Sequence, residues 1–250
     1  MADEVNSLFL AGLKELSYCN WAGALSYFEK VVVQSPTFAD AWIDIGFCCR
    51  NLGRHKEATE AYKQTIEIEP NSDEAHYGLA RTYFELGQLE NAIESFKYAI
   101  KIRPNFVEAH YDLGVVYASL NRLEETIEPF KQAIRIKPDH ADAYYNLGVT
   151  YNKLGRHEDS VQAFYHAIKI NPNDTKVKYN FGVACIELKR WWDAIKAYED
   201  VIKLEPNNAK AHYGLGLACL GFGDKGSALQ EFEILKKLDG QLANDLFERI

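Results

Sequence analysis

Pro36, Pro70, Pro104, Pro138, Pro172 and Pro206 stand 34 residues apart without exception. A fixed period of this length implies a stack of like units, each touching mainly its neighbours. Counting back from each proline divides the chain at 5–38, 39–72, 73–106, 107–140, 141–174, 175–208 and 209–242, with Gly240 where the seventh proline falls. Residues 1–4 are left as an N-terminal tail and 243–250 as the end of a C-terminal capping helix. Almost nothing of these 250 residues is left over for a second domain.

Each unit reads as two helices. In 73–106, Ala75, Leu79, Tyr83 and Leu86 recur at helical intervals until Gly87. A second apolar pattern then runs through Leu89, Ala92, Ile93, Phe96, Ala99 and Ile100 to Pro104,. Gly53, Gly87, Gly155 and Gly223 share the turn position, where a left-handed backbone costs glycine little,. Asn121 suits that conformation tolerably, and Cys19 and Lys189 less well. Gly46, Gly114, Gly148, Gly182 and Gly216 and the alanines at 24, 58, 92, 194 and 228 are expected to let helices approach closely. Phe28, Tyr62, Phe96, Phe130, Phe164, Tyr198 and Phe232 are expected to fill the gap between successive units. Pro129 interrupts one second helix, removing a backbone donor, and is expected to kink or loosen its first turns while Phe130 and Ile134 still pack,.

The run Tyr145, Leu147, Gly148, Tyr151, Phe164, Ala167 and Pro172 resembles the tetratricopeptide repeat family, with Ser160 at the family's small alanine. The resemblance extends over seven consecutive units and is weakest in 5–38, where Ala11-Gly12 replaces Leu-Gly and Glu15 the tyrosine. It implies an all-α, right-handed α-solenoid superhelix of helix-turn-helix repeats, with the first helices lining a concave groove that receives a peptide or partner helix. The regularity of the units reads as prokaryotic. Leu242, Ala243, Leu246, Phe247 and Ile250 form one amphipathic half, as a short capping helix requires,.

Composition excludes several tasks. A formal net charge of -8 argues against a nucleic-acid partner, which needs a basic footprint,. No stretch approaches the length of a membrane span, and MADEVNSLFL does not read as a signal peptide, so no membrane insertion and a cytoplasmic location are expected,. The five cysteines, an odd number, form no disulfide framework by their repeat positions, which fits a reducing compartment,. His76, His110 and His212 share the position of Trp42 and Tyr144 and read as packing residues. Cys49, Cys185 and Cys219 take the place of Tyr83, Tyr117 and Tyr151. Cys48-Cys49 lacks the spacing of a zinc site, and no phosphate loop or nucleophile elbow occurs,. No catalytic residue, metal or cofactor is therefore expected.

The groove implied by the resemblance carries more information. Phe9, Ile43, Tyr77, Tyr111, Tyr145, Tyr179 and Tyr213 share one repeat position, giving five tyrosines whose hydroxyls are expected to face a ligand,. Beside them run Leu13, Phe47, Arg81, Val115, Val149, Val183 and Leu217. Charge changes sign along Asn6, Asp40, Glu74, Glu108, Asp142, Lys176 and Lys210, with Asp44, Glu85 and Asp112 reinforcing the acidic end and Lys153 the basic one. Residues 1–140 hold 14 basic and 21 acidic residues, and 141–250 hold 14 and 15. Some family members grip a terminal carboxylate with two lysines, two asparagines and an arginine. Only Asn180 and Lys210 match that clamp, while Tyr145, Val149 and Gly214 replace the rest. Asn146 and Asn180 match groove asparagines that the family uses to bind a ligand's backbone amide.

These residues point to a non-catalytic adaptor or scaffold that binds a protein or peptide segment. A self-assembling scaffold is the first alternative, because Leu8, Phe9, Leu10, Leu13 and Leu16 spread around more than one side of the first helix and make a homo-oligomer possible,. A substrate-binding module of a larger enzyme complex is the second, since arrays of this family are often fused to catalytic domains.

Overall fold

The computed structural model describes residues 2–250, which form fifteen α-helices and, among the described residues, no strand. They divide into two compact units, one ending at Arg122 and one spanning Leu123–Ile250. The first holds α1 (Ala2–Ser17), α2 (Trp21–Gln34), α3 (Ala39–Asn51), α4 (His55–Ile68), α5 (Asp73–Glu85), α6 (Leu89–Ile102) and α7 (Val107–Ser119). The second holds α8 (Leu123–Ile136), α9 (Ala141–Lys153), α10 (His157–Ile170), α11 (Thr175–Glu187), α12 (Trp191–Leu204), α13 (Ala209–Phe222), α14 (Lys225–Leu238) and α15 (Gly240–Phe247). Residues 2–4, expected as a tail, are helical and belong to α1.

Each unit is an all-α repeat solenoid in which every helix packs on the next in sequence. Alternate helices also meet, α3 on α5 and α5 on α7 in the first unit, α9 on α11 and α11 on α13 in the second. The first helices of the pairs thus share one face. Turn chemistry sets the pairing. Gly53, Gly87, Gly155 and Gly223 have positive φ, and so do Cys19, Asn121 and Lys189 at φ 57, 56 and 56. All seven turns thus share one geometry, which prevails over side-chain preference at Cys19 and Lys189,. At the other end of the pair, Ser35, Glu69, Arg103, Asn171 and Glu205 leave helical geometry, with ψ of 83, 86, 88, 89 and 77. A following proline disfavours α geometry at that residue, which ends the second helix there.

The core lies between the pairs. Phe28, Tyr62 and Phe96 in the first unit and Phe130, Phe164 and Tyr198 in the second are buried almost completely, each worth roughly 1.5–3 kcal/mol of transfer free energy,. Close approach of the glycines to these rings is the reason for the small residues. A β-carbon at Gly12, Gly46, Gly148 or Gly182 would lie 2.5–2.8 Å from the ring of residue 28, 62, 164 or 198 respectively. Thr126 and Ser160, larger than the alanine they replace, satisfy their hydroxyls internally. Thr126 Oγ1 donates to the Leu123 carbonyl at 2.8 Å and lies 3.0 Å from Thr150 Oγ1, while Ser160 Oγ donates to the Gly148 carbonyl at 2.8 Å.

Pro129 does not shorten its helix. α8 keeps the 14 residues of α4, α6 and α10, with Pro129 and Phe130 both buried and Ile134 half-buried. Burial of the proline ring offsets part of the cost of about 3 kcal/mol that an interior proline carries. At the C-terminal end, Asp239 accepts from the N–H groups of Gln241 and Leu242 at 3.0 and 3.1 Å, and α15 starts at once. Leu246 is fully buried against Gly216, whose β-carbon would stand 2.5 Å from Leu246 Cδ2. The helix ends at Phe247 rather than running to residue 250, and Phe247 stacks on Phe232 with centroids 5.0 Å apart.

Candidate functional site

The shared face of the first unit is built by α1, α3, α5 and α7. Phe9 is half-buried here, packed on Phe28 and Phe38 at 5.5 and 4.9 Å, and Leu8 and Leu16 join the same core. Leu10 and Leu13 remain 63% and 37% exposed. The greasy first helix is thus mostly accounted for by its own unit. Further along the face, a cavity of about 480 Å³ is walled by Ile43, Phe47, Tyr62, Tyr77 and Phe106, with Asp44, Glu74 and three arginines among its polar lining.

Tyr77 corrects one expectation. Its hydroxyl does not wait for a ligand but donates to Asp112 Oδ2 at 2.9 Å, which Arg81 approaches to 3.9 Å. Burial pushes the Tyr77 phenol up, reinforced by the Asp112 charge. Burial also raises the Asp112 carboxyl, outweighing Tyr77 and Arg81. Glu85 is likewise engaged, 3.0 Å from Arg50 Nη1 and 3.3 Å from His55 Nδ1. Of the three acids expected to reinforce this end, Asp44 is left: among the described residues no hydrogen bond or ion pair engages it. Burial, with the charges of Asp40 and Glu74, pushes its carboxyl up to about 7.

In the second unit, α9, α11 and α13 form the corresponding face. A cavity of about 310 Å³ gathers Tyr145, Tyr179, Asn180, Lys176 and Lys210 from the sequence-predicted set. Tyr179 packs edge-on against Tyr198 at 5.6 Å, and Tyr145 tilts against Phe164 at 6.0 Å. Burial raises both phenols. Asn180 Nδ2 donates to the Lys176 carbonyl at 2.8 Å and reaches the Tyr145 hydroxyl at 3.5 Å. Its amide hydrogens are therefore spent inside the site, and Oδ1 is the atom left to accept from a ligand. Lys176 and Lys210 are exposed, and no carboxylate pairs with either ammonium among the described residues.

Lys153, exposed in the last turn of α9, and Tyr213, half-buried against the terminal cluster, lie outside this cavity's lining. Tyr111 and Asn146 are half-buried on α7 and α9. Sequence reasoning missed the rim. Glu205 accepts from Thr175 Oγ1 at 2.6 Å and from Asn208 Nδ2 at 2.7 Å, and all three line the cavity. Asn208 carried a usable signal as the cap of α13, where its side chain accepts from the Ala211 N–H at 3.1 Å.

Gly214, which stands where a carboxylate-clamp arginine belongs, has a steric cause. Its β-carbon would lie 2.5 Å from Tyr198 Cζ, and that of Gly78 2.4 Å from Tyr62. Sixteen residues separate Tyr62 from Gly78 and Tyr198 from Gly214. Where the inter-repeat ring is phenylalanine, at 28, 96, 130 and 164, the residue sixteen later is Asp44, Asp112, Asn146 or Asn180. Where the ring is tyrosine, its Cε1 and Cζ stand where a β-carbon at the later position would be, and that position is glycine.

Three of the histidines and the buried cysteines have structural roles. Trp42 Nε1 donates to the Pro36 carbonyl at 2.8 Å. His76, His110 and His212 place Nε2 at 3.1, 2.9 and 2.9 Å from the carbonyls of Pro70, Pro104 and Pro206. These side chains satisfy an acceptor at the end of the preceding second helix. Burial pushes the Cys48 and Cys185 thiols up to about 12 and Cys219 to about 11, away from the thiolate form that reacts or binds metal,. Among the described residues, no group of three or more His, Cys, Asp or Glu stands together for a metal ion. No helix is long and apolar enough to cross a membrane, again among the described residues.

Stacked helix pairs with an open, aromatic and polar face define a helical-repeat interaction scaffold. Profiles described as TPR repeat match residues 80–121, 116–155 and 182–221, and profiles described as Tetratricopeptide repeat match 141–174 and 52–94. Together they run over 52–174 and 182–221, well beyond half of the chain. The chain belongs to the tetratricopeptide repeat family, whose members are in general non-catalytic modules that bind peptides or proteins. The uncharacterized protein MJ0572 of Methanocaldococcus jannaschii is 33% identical over 54 residues, 22% of this chain and 63% of that protein. The chain thus spans less than two thirds of this curated relative's length. Among solved structures, MamA is 27% identical with a TM-score of 0.62, over 66% of this chain and 96% of that one. YrrB, a TPR protein with an unusual peptide-binding site, is 22% identical with a TM-score of 0.70, over 76% and 99%. A tetratricopeptide repeat protein from Parabacteroides merdae is 16% identical with a TM-score of 0.66, over 99% and 98%. At these identities the last two share the fold.

Proposed function

We propose that this chain is a cytoplasmic adaptor whose seven 34-residue repeats, 5–38 to 209–242, present first-helix faces to an extended segment of a partner protein. The observation that carries the reading is the open cavity of the second unit, where Asn180 Oδ1 and two unpaired ammonium groups, Lys176 and Lys210, stand beside Tyr145 and Tyr179. An acceptor for a backbone N–H, aromatic walls and free positive charge are the parts needed to hold a segment by its main chain and select an acidic portion of it. Asp40, Glu74 and Glu108, unpaired in the first unit, suit a basic portion,. Five cysteines without a disulfide fit the reducing compartment,.

Peptides selected from a random displayed library on the wild-type chain supply the assay. Replacing Asn146 and Asn180 with alanine removes amide contacts of roughly 1 kcal/mol each, so affinity is expected to fall about tenfold or more with unchanged helicity. Exchanging Lys176 and Lys210 for glutamate is expected to slow association and flatten its salt dependence. Undiminished binding by the double asparagine variant removes the groove reading.

The exposure of Leu10 and Leu13 favours a second reading, self-association through α1. It predicts a mass in solution that rises with concentration for wild type and not for Leu10→Glu. A monomer at every concentration for both ends it.

A further inference from the structure

The cavity of the first unit contains more charge than its neighbours, and most of that charge is already spent. Three arginines line it, and each is held by an acid: Arg50 by Glu85 at 3.0 Å, Arg103 by Asp73 at 2.5 Å, and Arg81 near Asp112 at 3.9 Å. Each guanidinium also covers an aromatic ring, Arg50 over Phe47 at 5.6 Å, Arg81 over Tyr77 at 5.9 Å and Arg103 over Phe106 at 3.5 Å. The positive groups are therefore paired with acids, and one face of each ring is covered. What is left uncompensated is negative: Asp44 and Glu74 on the cavity wall, with Asp40 one turn before Asp44 on α3.

We propose that this cavity is a specificity pocket for one lysine side chain of the bound segment, its apolar stem lying against Ile43, Phe47 and Tyr77 and its ammonium meeting the Asp44 carboxylate. Shape and charge together favour lysine. A long unbranched stem suits a cavity of about 480 Å³ with apolar walls,. The compact ammonium needs one carboxylate with no competing partner, which Asp44 supplies. An arginine would bring a fourth guanidinium beside rings that three resident guanidiniums already cover,. An anionic side chain would approach Asp40, Asp44 and Glu74 unpaired.

A burial argument points the same way. A half-buried carboxyl without a partner costs stability unless a cation arrives. Asp44 is in that state: burial and the charges of Asp40 and Glu74 hold its carboxyl up at about 7. The other titratable or charged groups lining the cavity are Tyr62 of α4, Glu74, Tyr77 and Arg81 of α5, Arg50 of α3, and Arg103 after α6, while α1 contributes Leu16. No resident cation is placed to compensate Asp44 from any of these elements.

The proposal rests on the groove reading only for the origin of the lysine, so its test uses a probe with one side chain and no strand to lie along a groove. N-acetyl-lysine N-methylamide is titrated into the full chain carrying carbon-13 at aspartate carboxyls and aromatic rings, beside the norleucine and glutamate analogues. The lysine probe is expected to saturate, to move the Phe47 and Tyr77 ring signals, and to lower the Asp44 titration midpoint. Norleucine, with the same stem and no charge, is expected to bind about tenfold more weakly, the worth of one charge-assisted hydrogen bond. Asp44→Asn is expected to erase the difference between them while leaving the Tyr77 contact with Asp112 and the helicity intact. Equal binding of lysine and norleucine, preference for glutamate, or no shift with any probe at its solubility limit overturns the pocket. Library-selected peptides that lose affinity with the Asn146 and Asn180 variant yet show no lysine preference keep the groove reading and remove only this one.

Discussion

Gly214 offers a quantitative test of how packing constrains the groove. Replacing it with alanine puts a β-carbon 2.5 Å from Tyr198 Cζ and 2.6 Å from Cε1, against the ~3.5–4.0 Å of a relaxed carbon contact,. Overpacking of this kind costs about 1–3 kcal/mol. The substitution also adds helix propensity, since glycine inside a helix is about 1 kcal/mol worse than alanine. Gly214→Ala should therefore be destabilising by about 0–2 kcal/mol in the native background. In Tyr198→Phe the ring is free to sit as Phe164 does beside Asn180, and the same substitution should stabilise by about 1 kcal/mol. The two backgrounds should thus differ by about 1–3 kcal/mol, a coupling well above the scatter between independent sites. Urea unfolding of the four variants, fitted with a nearest-neighbour repeat model because arrays depart from two-state behaviour, measures it. An equal gain from Gly214→Ala in both backgrounds would refute the claim that Tyr198 keeps this position a glycine.

Asp44 predicts a pH effect of definite sign. Its carboxyl is raised from 3.8 to about 7, so the unfolded chain ionises first and stability falls as pH rises across that window,. Asp44→Asn should match wild type below the window and exceed it above, as read from urea midpoints at a series of pH values; a constant offset at all pH would contradict this. Lys189 carries φ 56 without being glycine, and Lys189→Gly should gain about 1 kcal/mol, visible as slower hydrogen exchange in the turn between α11 and α12,. No gain there would mean that the left-handed turn is unstrained.

The proline period and the glycine turns made the helix pairs legible, because both residues act through local backbone geometry that no tertiary contact needs to supply. Ladder positions such as Tyr77 in the first unit and Tyr145 and Tyr179 in the second were legible for the same reason, one period placing each on the first helix of its pair. What those side chains do was not. Tyr77 spends its hydroxyl on Asp112 and Glu85 binds Arg50, contacts between residues 35 apart whose geometry depends on how adjacent pairs stack. At Pro129 the packing of Phe130 and Ile134 was legible, while the length of α8 depends on burial of the proline ring, which a local propensity argument does not weigh. The bond from Trp42 and the histidines to a proline carbonyl was hidden because chemically different side chains perform it.

The tyrosine–glycine pairing connects the core to the binding face. A groove side chain sixteen residues after the inter-repeat ring exists only if that ring leaves space for its β-carbon. Phenylalanine at 28, 96 and 164 stands before Asp44, Asp112 and Asn180, while the tyrosine rings at 62 and 198 crowd the β-carbon position of Gly78 and Gly214. Gly214 therefore cannot become the missing clamp arginine by a single change, because the incoming side chain meets Tyr198 before it reaches a ligand. Conversely, Gly78 is part of what opens the first-unit cavity, where Tyr62 and Gly78 both form wall. The placement of one core ring per repeat thus bears on whether the groove presents a polar group or a hollow at that step, and ligand preference is written partly in buried residues.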